Sequence, residues 1–424
     1  MRPERKEVGC MEQLHDIAEE VEQIILVSVA TQEDDDTMEL LEELEELAET
    51  AGAKVLAKVI QNREKIHPGT YIGKGKIQEI KEMVLELGAT GVVCDDELSP
   101  AQLKNLEKEL ETKVIDRTVM ILDIFAQRAI TKEGKIQVEL AQLKYRATRL
   151  VGLGTSLSRL GGGIGTRGPG EKKLEMDRRF IRERISQLKR ELEEVKQSRE
   201  LARKQRNQNT TPVVAIVGYT NAGKSTLLNT LTDANVLEED KLFATLDPTT
   251  RSLTLESGQQ ILLTDTVGFI RKLPHHLIEA FQSTLEEAKF ADIILHVVDG
   301  SNSSAYAHMH TVYQTLEKLG VKDKKIVTVF NKQDKIEEVE VLKDFKADAT
   351  LKISAKKKIG LEKLLDTIED IIRQQNIYIE RVFSYQEAGK IQRIRKYGQL
   401  MEEEYRDDGI FIRGSIPKEI YYSL

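Results

Sequence analysis

The sequence predicts an α/β protein of several domains, one of which has a mostly parallel sheet with helices on both faces. In the first 120 residues, short apolar runs alternate with helical patterns, beginning with IILVSVA and MELLEELEELAETAG. The alternation returns after residue 212, where VVAIV precedes a glycine-rich loop and a helical segment. Such alternation is typical of parallel sheets, because consecutive parallel strands need a crossover that is usually a helix. The chain has 424 residues, which is long enough for about three domains.

The composition indicates a globular protein. Hydrophobic residues make up 40% of the chain, charged residues make up 32%, and tryptophan does not occur. No apolar run approaches the roughly 18 residues of a membrane span, and the N-terminus does not resemble a secretory signal. We therefore expect a cytoplasmic monomer, and peripheral membrane association stays open. Cys10 and Cys94 are too few for a disulfide framework or a zinc site, so we interpret both as thiols, with Cys94 in the core.

The charge is unevenly distributed along the chain. Residues 1–50 contain 17 acidic and 3 basic residues, whereas residues 121–210 contain 21 basic and 11 acidic residues. The two segments therefore carry −14 and +10, although the whole chain carries only −8. The acidic end repels polyanions, and the basic middle can hold one.

Changes of pattern along the chain predict four segments. Two long charged helical patterns, at 121–150 and 171–205, flank a glycine-rich stretch at 152–173 and predict a helical hairpin. The polar segment QRNQNTTP then has the composition of a linker. The predicted division is an α/β subdomain at 1–118, the basic hairpin at 119–208, a third domain at 209–375, and a small C-terminal α/β domain at 376–424.

The glycine-rich stretch at 152–173 has two interpretations. It contains too few apolar side chains to form a core, so it is either a flexible connector or a mobile finger that approaches RNA closely. Its position at the tip of two basic helices favours the finger. In that case the contacts to RNA phosphates would come from its basic residues, Arg159, Arg167, Lys172 and Lys173.

The segment GYTNAGKS at 218–225 matches the phosphate-binding loop in the context that this pattern requires. The apolar run VVAIV precedes it, and the helical segment TLLNTL follows. Backbone N–H groups of such a loop point at phosphates, so the site attracts anions before any side chain contributes. Lys224 adds a positive charge for the β- and γ-phosphates, and the Ser225 hydroxyl suits Mg²⁺. The pattern predicts a nucleoside triphosphate without identifying its base.

A second apolar strand ends in DTVG at 265–268. The Asp265 carboxylate at this strand end can hold the Mg²⁺ shell, while the Gly268 N–H is free to meet a γ-phosphate. The spacing from the phosphate-binding loop makes a chance match improbable. Together the two motifs predict a site for a magnesium-bound triphosphate.

Two more strand ends predict the base. KIVTVF is followed by NKQD at 331–334, and TLKI is followed by SAK at 354–356. These elements resemble those with which GTPases of the translation-factor class read guanine. Asp334 would accept hydrogen bonds from the guanine N1–H and N2–H₂, and adenine lacks these donors. The four elements in this order predict a GTP-binding site.

Beyond these motifs the chain resembles the HflX family of ribosome-associated GTPases. The resemblance extends over about residues 20–375. It implies a P-loop GTPase that uses Mg²⁺, binds the large ribosomal subunit and its rRNA, and acts in ribosome rescue, splitting or biogenesis. The segments that carry it are ILDIFAQRA at 121–129, GKIQVELAQLKY at 134–145, GGGIGTRGPGE at 161–171, GYTNAGKST at 218–226, KLFATLDPTTR at 241–251 and DTVGFIRKLP at 265–274.

Within this resemblance each site residue has an expected role. Catalytic roles are expected for Lys224, Thr245 and Gly268. Magnesium contacts are expected from Ser225, Thr245 and Asp265. Contacts to the nucleotide are expected from Gly218, Tyr219, Thr220, Asn221, Ala222, Gly223, Lys224, Ser225, Thr226, Phe243, Ala244, Thr245, Leu246, Asp247, Asp265, Thr266, Val267, Gly268, Asn331, Lys332, Gln333, Asp334, Ser354, Ala355 and Lys356.

The segment EEDKLFATLDPTTR at 238–251 is expected to be switch I. In similar GTPases the threonine that binds Mg²⁺ follows an FxT pattern, which favours Thr245 over its neighbours Thr249 and Thr250. Asn221 either tolerates the unusual backbone of the loop or holds a K⁺ ion near the β- and γ-phosphates.

Phe269 stands where Ras-like enzymes carry the glutamine that orients the attacking water. Since phenylalanine cannot orient water, we expect slow intrinsic hydrolysis that rises when a partner completes the site. Two alternatives stay open at this point: a GTPase of the RNA-modification type, and a GTP-gated scaffold whose hydrolysis is incidental.

Overall fold

The computed structural model describes residues 21–31, 36–157, 169–207, 211–232, 241–274, 277, 287–336 and 342–422. It confirms the predicted α/β class, because two sheets are wholly or mainly parallel and are covered by helices. No helix within the described part of the chain is both long enough and apolar enough to cross a bilayer.

The N-terminal region contains a parallel four-stranded sheet in the order β2-β1-β3-β4. The central strand β1 is buried over six consecutive residues, as expected for a parallel strand covered on both faces. The strands are β1 (Gln23–Ala30), β2 (Lys54–Asn62), β3 (Gly91–Cys94) and β4 (Lys113–Asp116), and the helices are α1 (Thr37–Thr50), α2 (Lys74–Leu87), α3 (Pro100–Leu110) and α4 (Arg117–Arg128). The predicted domain boundary after residue 118 falls inside α4.

The helical hairpin consists of α5 (Lys132–Leu157) and α6 (Pro169–Asn207). Ile136 and Leu140 of α5 pack against Leu188 of α6. The single helix predicted over 121–150 is wrong, because α4 and α5 are separate helices. The backbone is extended at Ala129, and the Asp247 carboxylate binds the N–H groups of the next two residues.

The third domain contains a six-stranded sheet in the order β10-β9-β8-β5-β7-β6, in which only the β6–β7 pair is antiparallel. The central strands are buried, and their carboxyl ends lie at one edge, where ligands bind in such sheets. The strands are β5 (Val213–Gly218), β6 (Thr249–Thr254), β7 (Gln260–Asp265), β8 (Ile293–Asp299), β9 (Lys325–Asn331) and β10 (Ala349–Lys352). The helices are α7 (Lys224–Thr232), α8 (Ala305–Lys318) and α9 (Leu361–Gln375).

The C-terminal domain is a three-stranded antiparallel sheet in the order β11-β13-β12, with a helix packed on one face. Its elements are β11 (Asn376–Phe383), α10 (Ala388–Tyr397), β12 (Gln399–Arg406), β13 (Gly409–Pro417) and the short α11 (Lys418–Tyr421). The apolar runs IYIERVF and GIFIRG predict β11 and β13, and the basic segment GKIQRIRKYG predicts α10, but the sequence does not predict β12.

One hydrophobic cluster joins the N-terminal sheet to the third domain. Leu44 of α1 and Phe125 of α4 belong to it, together with Phe243, Leu246 and Phe269 of the third domain. The Phe125 and Phe243 rings meet edge to face, with their centroids 4.7 Å apart. The N-terminal region therefore packs directly on the segments that surround the predicted nucleotide site.

Candidate functional site

The phosphate-binding loop lies between β5 and α7. Lys224 begins α7 and is buried, and its Nζ donates to the Tyr219 carbonyl oxygen at 2.8 Å. Burial lowers the pKa of Lys224 to about 8. Gly223 has a φ of 92°, and a Cβ at this position would lie 2.3 Å from Asn331 Nδ2. Only glycine fits this position, because both the backbone conformation and the space exclude a side chain.

Ser225, Thr245 and Asp265 meet at one point. The Ser225 hydroxyl lies 2.8 Å from Thr245 Oγ1 and 2.7 Å from Asp265 Oδ2. The second carboxylate oxygen of Asp265 is buried and has no hydrogen-bond partner among the described residues. Two hydroxyls and a carboxylate with a free buried oxygen are the hard oxygen donors that Mg²⁺ prefers. These three residues fit a magnesium ion, which would neutralise phosphate charge there.

The geometry favours Thr245 over the two other threonines considered for the metal. Thr250 lies on β6, and its hydroxyl is 3.0 Å from that of Thr264 on β7. Thr249 begins β6 and pairs in register with Asp265. Of the three threonines, Thr245 is the one whose hydroxyl meets Ser225. Its role as a metal ligand stays a prediction.

Gly268 lies beside the phosphate-binding loop. A Cβ added to it would lie 2.8 Å from Thr220 Cα and 3.1 Å from Lys224 Nζ, so the backbone approaches the loop as closely as glycine allows. The next residue, Phe269, is buried in the core shared with the N-terminal region. Its N–H donates to the Gly218 carbonyl oxygen at 3.1 Å, and its carbonyl oxygen accepts from the Thr220 N–H at 2.8 Å. The side chain at the position of the Ras-like glutamine therefore supports packing.

Asn331 joins three of the sequence motifs. Its Nδ2 donates to the Ala222 carbonyl oxygen at 2.9 Å, and its Oδ1 accepts from the Ala355 N–H at 2.9 Å. Asp334 lies at the surface of the same region, where the Ser354 hydroxyl donates to its Oδ1 at 2.5 Å. This hydrogen bond lowers the pKa of the Asp334 carboxyl, so the group is an ionised acceptor at neutral pH.

These motifs surround a cavity of about 290 Å³. Among the predicted nucleotide contacts, those that line it are Thr220, Asn221, Gly223, Lys224, Ser225, Thr226, Phe243, Ala244, Thr245, Thr266, Gly268, Asn331, Lys332, Asp334, Ala355 and Lys356. Lys241 and Lys335 also line the cavity and were not predicted from the sequence. Their only signal in the sequence is that Lys241 begins the KLFAT segment and Lys335 follows NKQD. The residues that line the cavity, as far as the structure describes them, include no glutamine.

The other predicted contacts lie outside the lining. Leu246 and Val267 are buried in the core. The Asp247 carboxylate binds the start of α5, which is not where we expected it. The remaining members of this group lie in the same motifs as the lining residues but do not line the cavity themselves; they are Gly218, Tyr219, Ala222, Asp265, Gln333 and Ser354.

The predicted RNA contacts cannot be placed on the structure. Arg159 and Arg167 lie outside the described residues, and Lys172 and Lys173 lie in α6 with side chains that are not described. Of the described basic residues of α6, several are exposed: Arg179, Arg182, Lys189 and Arg190.

A buried polar network lies between the N-terminal domain and the third domain and was not predicted from the sequence. Arg117 is 1% exposed; its guanidinium donates to Glu43 and, at 2.9 Å, to Asp95. The Tyr219 hydroxyl of the phosphate-binding loop also donates to Glu43 and accepts from the Arg271 N–H at 2.8 Å. The N-terminal domain therefore holds both the loop and the segment after DTVG through hydrogen bonds.

The residue after Arg271 is held in the same way. The Lys272 ammonium lies 2.7 Å from Asp95 Oδ2 and 2.7 Å from Asp96 Oδ1, directly after β3. These acids lie at the carboxyl edge of the N-terminal sheet. The edge that often binds ligands in such sheets is occupied here by side chains of the third domain.

Family profiles match most of the chain. A profile described as "GTP-binding GTPase N-terminal" matches residues 38–126, and one described as "GTP-binding GTPase Middle Region" matches residues 128–206. A third, described as "50S ribosome-binding GTPase", matches residues 213–332.

Curated proteins named GTPase HflX are similar over three quarters or more of the chain. The protein from Lacrimispora saccharolytica is 65% identical over 414 residues, covering 98% of this chain and 98% of that protein. The protein from Caldanaerobacter subterraneus subsp. tengcongensis is 50% identical, covering 97% and 94%. The protein from Escherichia coli strain K12 is 48% identical over 319 residues, covering 75% of each chain.

The solved structure of a GTP-binding protein from the archaeon Sulfolobus solfataricus, in complex with GDP, matches most of this chain. It is 27% identical, with a TM-score of 0.44, and the match covers 84% of this chain and 99% of that one.

Proposed function

The chain belongs to the HflX family of GTPases and hydrolyses GTP, and from this premise we propose that it binds the large ribosomal subunit and its rRNA under control of the nucleotide. Its role is ribosome rescue, splitting or biogenesis, as a cytoplasmic monomer. The observation that carries the proposal is the match of residues 213–332 to the profile of 50S ribosome-binding GTPases. The net charge of +10 over residues 121–210 is suited to a polyanionic partner such as rRNA.

The residues of the cavity have distinct tasks in the proposed reaction. Lys224 places a positive charge at the β- and γ-phosphates, and the Gly268 N–H meets the γ-phosphate. Ser225 and Thr245, together with Asp265 behind the lining, would hold Mg²⁺, which supplies charge neutralisation when bound. Asp334 selects guanine, with Ser354 fixing the orientation of the carboxylate.

The first prediction is that the large subunit accelerates hydrolysis. The described lining contains no glutamine, and Phe269 is in the core, so we expect a group of the partner to complete the site. Single-turnover hydrolysis should rise by a factor on the order of 10³ when 50S subunits are added. Equal rates with and without subunits would contradict the proposal.

Co-sedimentation with purified 50S subunits tests the switch directly. Binding should be tighter with a non-hydrolysable GTP analogue than with GDP or without nucleotide. Lys224→Ala is the control, because it removes the phosphate contact and should abolish the difference between the nucleotides. A wild-type protein that sediments equally in all three states would instead indicate a nucleotide-independent scaffold.

The second prediction concerns potassium. Asn221 lines the cavity with a φ of 58°, and we expect its side chain to hold K⁺ beside the phosphates. Hydrolysis should be about tenfold faster in KCl than in NaCl at equal ionic strength. Asn221→Gly keeps the backbone freedom but removes the amide, so it should be slow in both salts. A wild-type rate that is the same in KCl and NaCl would eliminate this role.

A further inference from the structure

Asp247 connects switch I to the helical hairpin. It follows Thr245 by two residues, and its carboxylate accepts hydrogen bonds from the Ile130 N–H at 3.0 Å and the Thr131 N–H at 2.9 Å. The Thr131 hydroxyl donates to the other carboxylate oxygen at 2.5 Å. Three hydrogen bonds from one short segment fix the carboxylate, and an aspartate side chain has only two torsions, χ1 and χ2.

The partner of Asp247 is the N-terminal cap of α5. The Thr131 Oγ1 accepts from the Gly134 N–H at 2.9 Å, as expected for a capping threonine. Gly134 also makes room for the contact, because a Cβ on this residue would lie 2.6 Å from Asp247 Oδ1. The start of the helix is therefore shaped around the switch I carboxylate.

Switch I is held on its other side by the phosphate-binding loop. The Thr220 hydroxyl accepts from the Phe243 N–H at 2.9 Å, and Phe243 has a φ of 53°. A positive φ is unfavourable for a bulky residue and persists only when the surroundings impose it. Thr245 lies between this hydrogen bond and the one made by Asp247.

The hairpin helix that carries the cap is firmly anchored. Its 26 residues span about 39 Å. In its middle, the Tyr145 hydroxyl and the Arg149 guanidinium donate to the buried Asp116 at 2.9 and 2.7 Å. Arg184 of α6 donates to both carboxylate oxygens of Glu139 at 2.7 and 3.0 Å. These contacts fix α5 against the N-terminal domain and against α6.

We propose that Asp247 and Thr131 are positioning residues that hold switch I so that Thr245 faces Ser225 and Asp265. The coupling through this contact is reciprocal. A partner that shifts α5 changes the affinity for the magnesium-bound triphosphate, and the triphosphate changes the affinity for the partner by the same factor. This inference rests on the proposed role of Thr245. It adds the start of α5 as the element through which the hairpin regulates the nucleotide site.

Thr131→Val removes the hydroxyl and keeps the shape of the side chain. We expect it to raise the Mg²⁺ concentration needed for half-maximal binding of a GTP analogue by about tenfold. GDP affinity should stay unchanged, because switch I engages the γ-phosphate and not the diphosphate. Thr131→Ser restores the hydroxyl and should restore the Mg²⁺ dependence. Titration of a fluorescent analogue and of fluorescent GDP at several Mg²⁺ concentrations measures both effects.

Ser99→Ala is the matched control for the lost helix cap. Ser99 caps α3 by accepting from the Gln102 N–H, so its removal has a similar structural cost at a helix that does not carry the contact to Asp247. Both variants should lower the melting temperature, but Ser99→Ala should leave the Mg²⁺ dependence as in the wild type. If the two variants behave alike in the titration, Thr131 is merely a cap and the proposal fails.

Gly134→Ala separates stability from function. Alanine is the better helix former, so the variant should not destabilise α5. Its Cβ would nevertheless displace the Asp247 carboxylate and weaken analogue binding at low Mg²⁺. Unchanged analogue binding in a folded Gly134→Ala protein would overturn the inference. Failure of the wild type to bind any Mg²⁺-GTP analogue would instead refute the proposed nucleotide site.

Discussion

Replacement of Arg117 by methionine is expected to lower the free energy of unfolding of the N-terminal domain by about 3–5 kcal/mol. Arg117 is 1% exposed, and burial lowers the pKa of its guanidinium to about 10, which leaves it charged at neutral pH. Its two partners, Glu43 and Asp95, are 8% and 0% exposed. Methionine fills the space but removes the positive charge that the guanidinium places beside these two buried carboxylates. Hydrogen exchange of the β1, β3 and α1 amides measures the effect within this domain.

Arg179→Met is the matched control for this experiment. Arg179 pairs with Glu183 at 2.8 Å, but its side chain is 82% exposed, so loss of the pair should have no measurable effect on stability. The double variant Arg117→Met with Glu43→Gln should recover part of the loss, because it removes one of the stranded charges. If Arg117→Met protects the amides as well as the wild type does, the buried network does not stabilise this domain.

The same substitution should also reach the nucleotide site. Glu43 accepts from Tyr219 of the phosphate-binding loop, and the Arg117 guanidinium donates to the Arg271 carbonyl oxygen at 3.2 Å. We therefore expect Arg117→Met to weaken the contacts of the N-terminal domain with the phosphate-binding loop and with the segment after DTVG. These hydrogen bonds lie at the same domain boundary as the shared hydrophobic core.

The nucleotide site could be predicted from the sequence because its signals are local. Each motif follows an apolar run directly, and the carboxyl ends of parallel strands meet at one edge of a sheet. Asp265, Asn331 and Ser354 follow or end three such strands, so their convergence needs only the strand order. The side chains at the strand ends then meet Ser225 and Ala222 of the loop.

The break between α4 and α5 could not be predicted, because its cause is distant in sequence. The helical pattern continues through residues 129–131, and the acceptor that binds the Ile130 and Thr131 N–H groups within the break is Asp247, 117 residues from Ile130. The buried contact between Arg117 and Glu43 likewise joins residues 74 positions apart. Contacts of this kind leave no periodic trace in the sequence.

The strand β12 was missed for a different reason. Its sequence, QLMEEEYR, contains three consecutive glutamates, which are depleted in strands. It forms a strand because it pairs with β13 in an antiparallel ladder that is interrupted only at Met401. Tertiary pairing here overrides the local preference.

Asp334→Asn is expected to reduce GTP affinity by at least about a hundredfold and to create affinity for xanthosine triphosphate. The ionised Asp334 carboxylate accepts from the guanine N1–H and N2–H₂, and asparagine presents a donor in place of one acceptor. Xanthine has a carbonyl where guanine has its amino group, so the new amide can pair with it. Ser354→Ala should lower GTP affinity by a smaller factor, because the Ser354 hydroxyl orients the Asp334 carboxylate and alanine cannot. Competition against a fluorescent guanine nucleotide measures all of these affinities.

Asp323→Asn is the matched control, since Asp323 is an exposed aspartate of the same domain with a φ of 55° that asparagine also tolerates. It should bind GTP as the wild type does. An Asp334→Asn protein that keeps full GTP affinity would show that guanine is read elsewhere in the cavity. Loss of GTP without any gain of xanthosine triphosphate would indicate a damaged site and would remove Asp334 as the reader of the base. The gain therefore decides between selection of the base and support of the fold, because a residue that only stabilises β9 and its turn has no means of preferring xanthine.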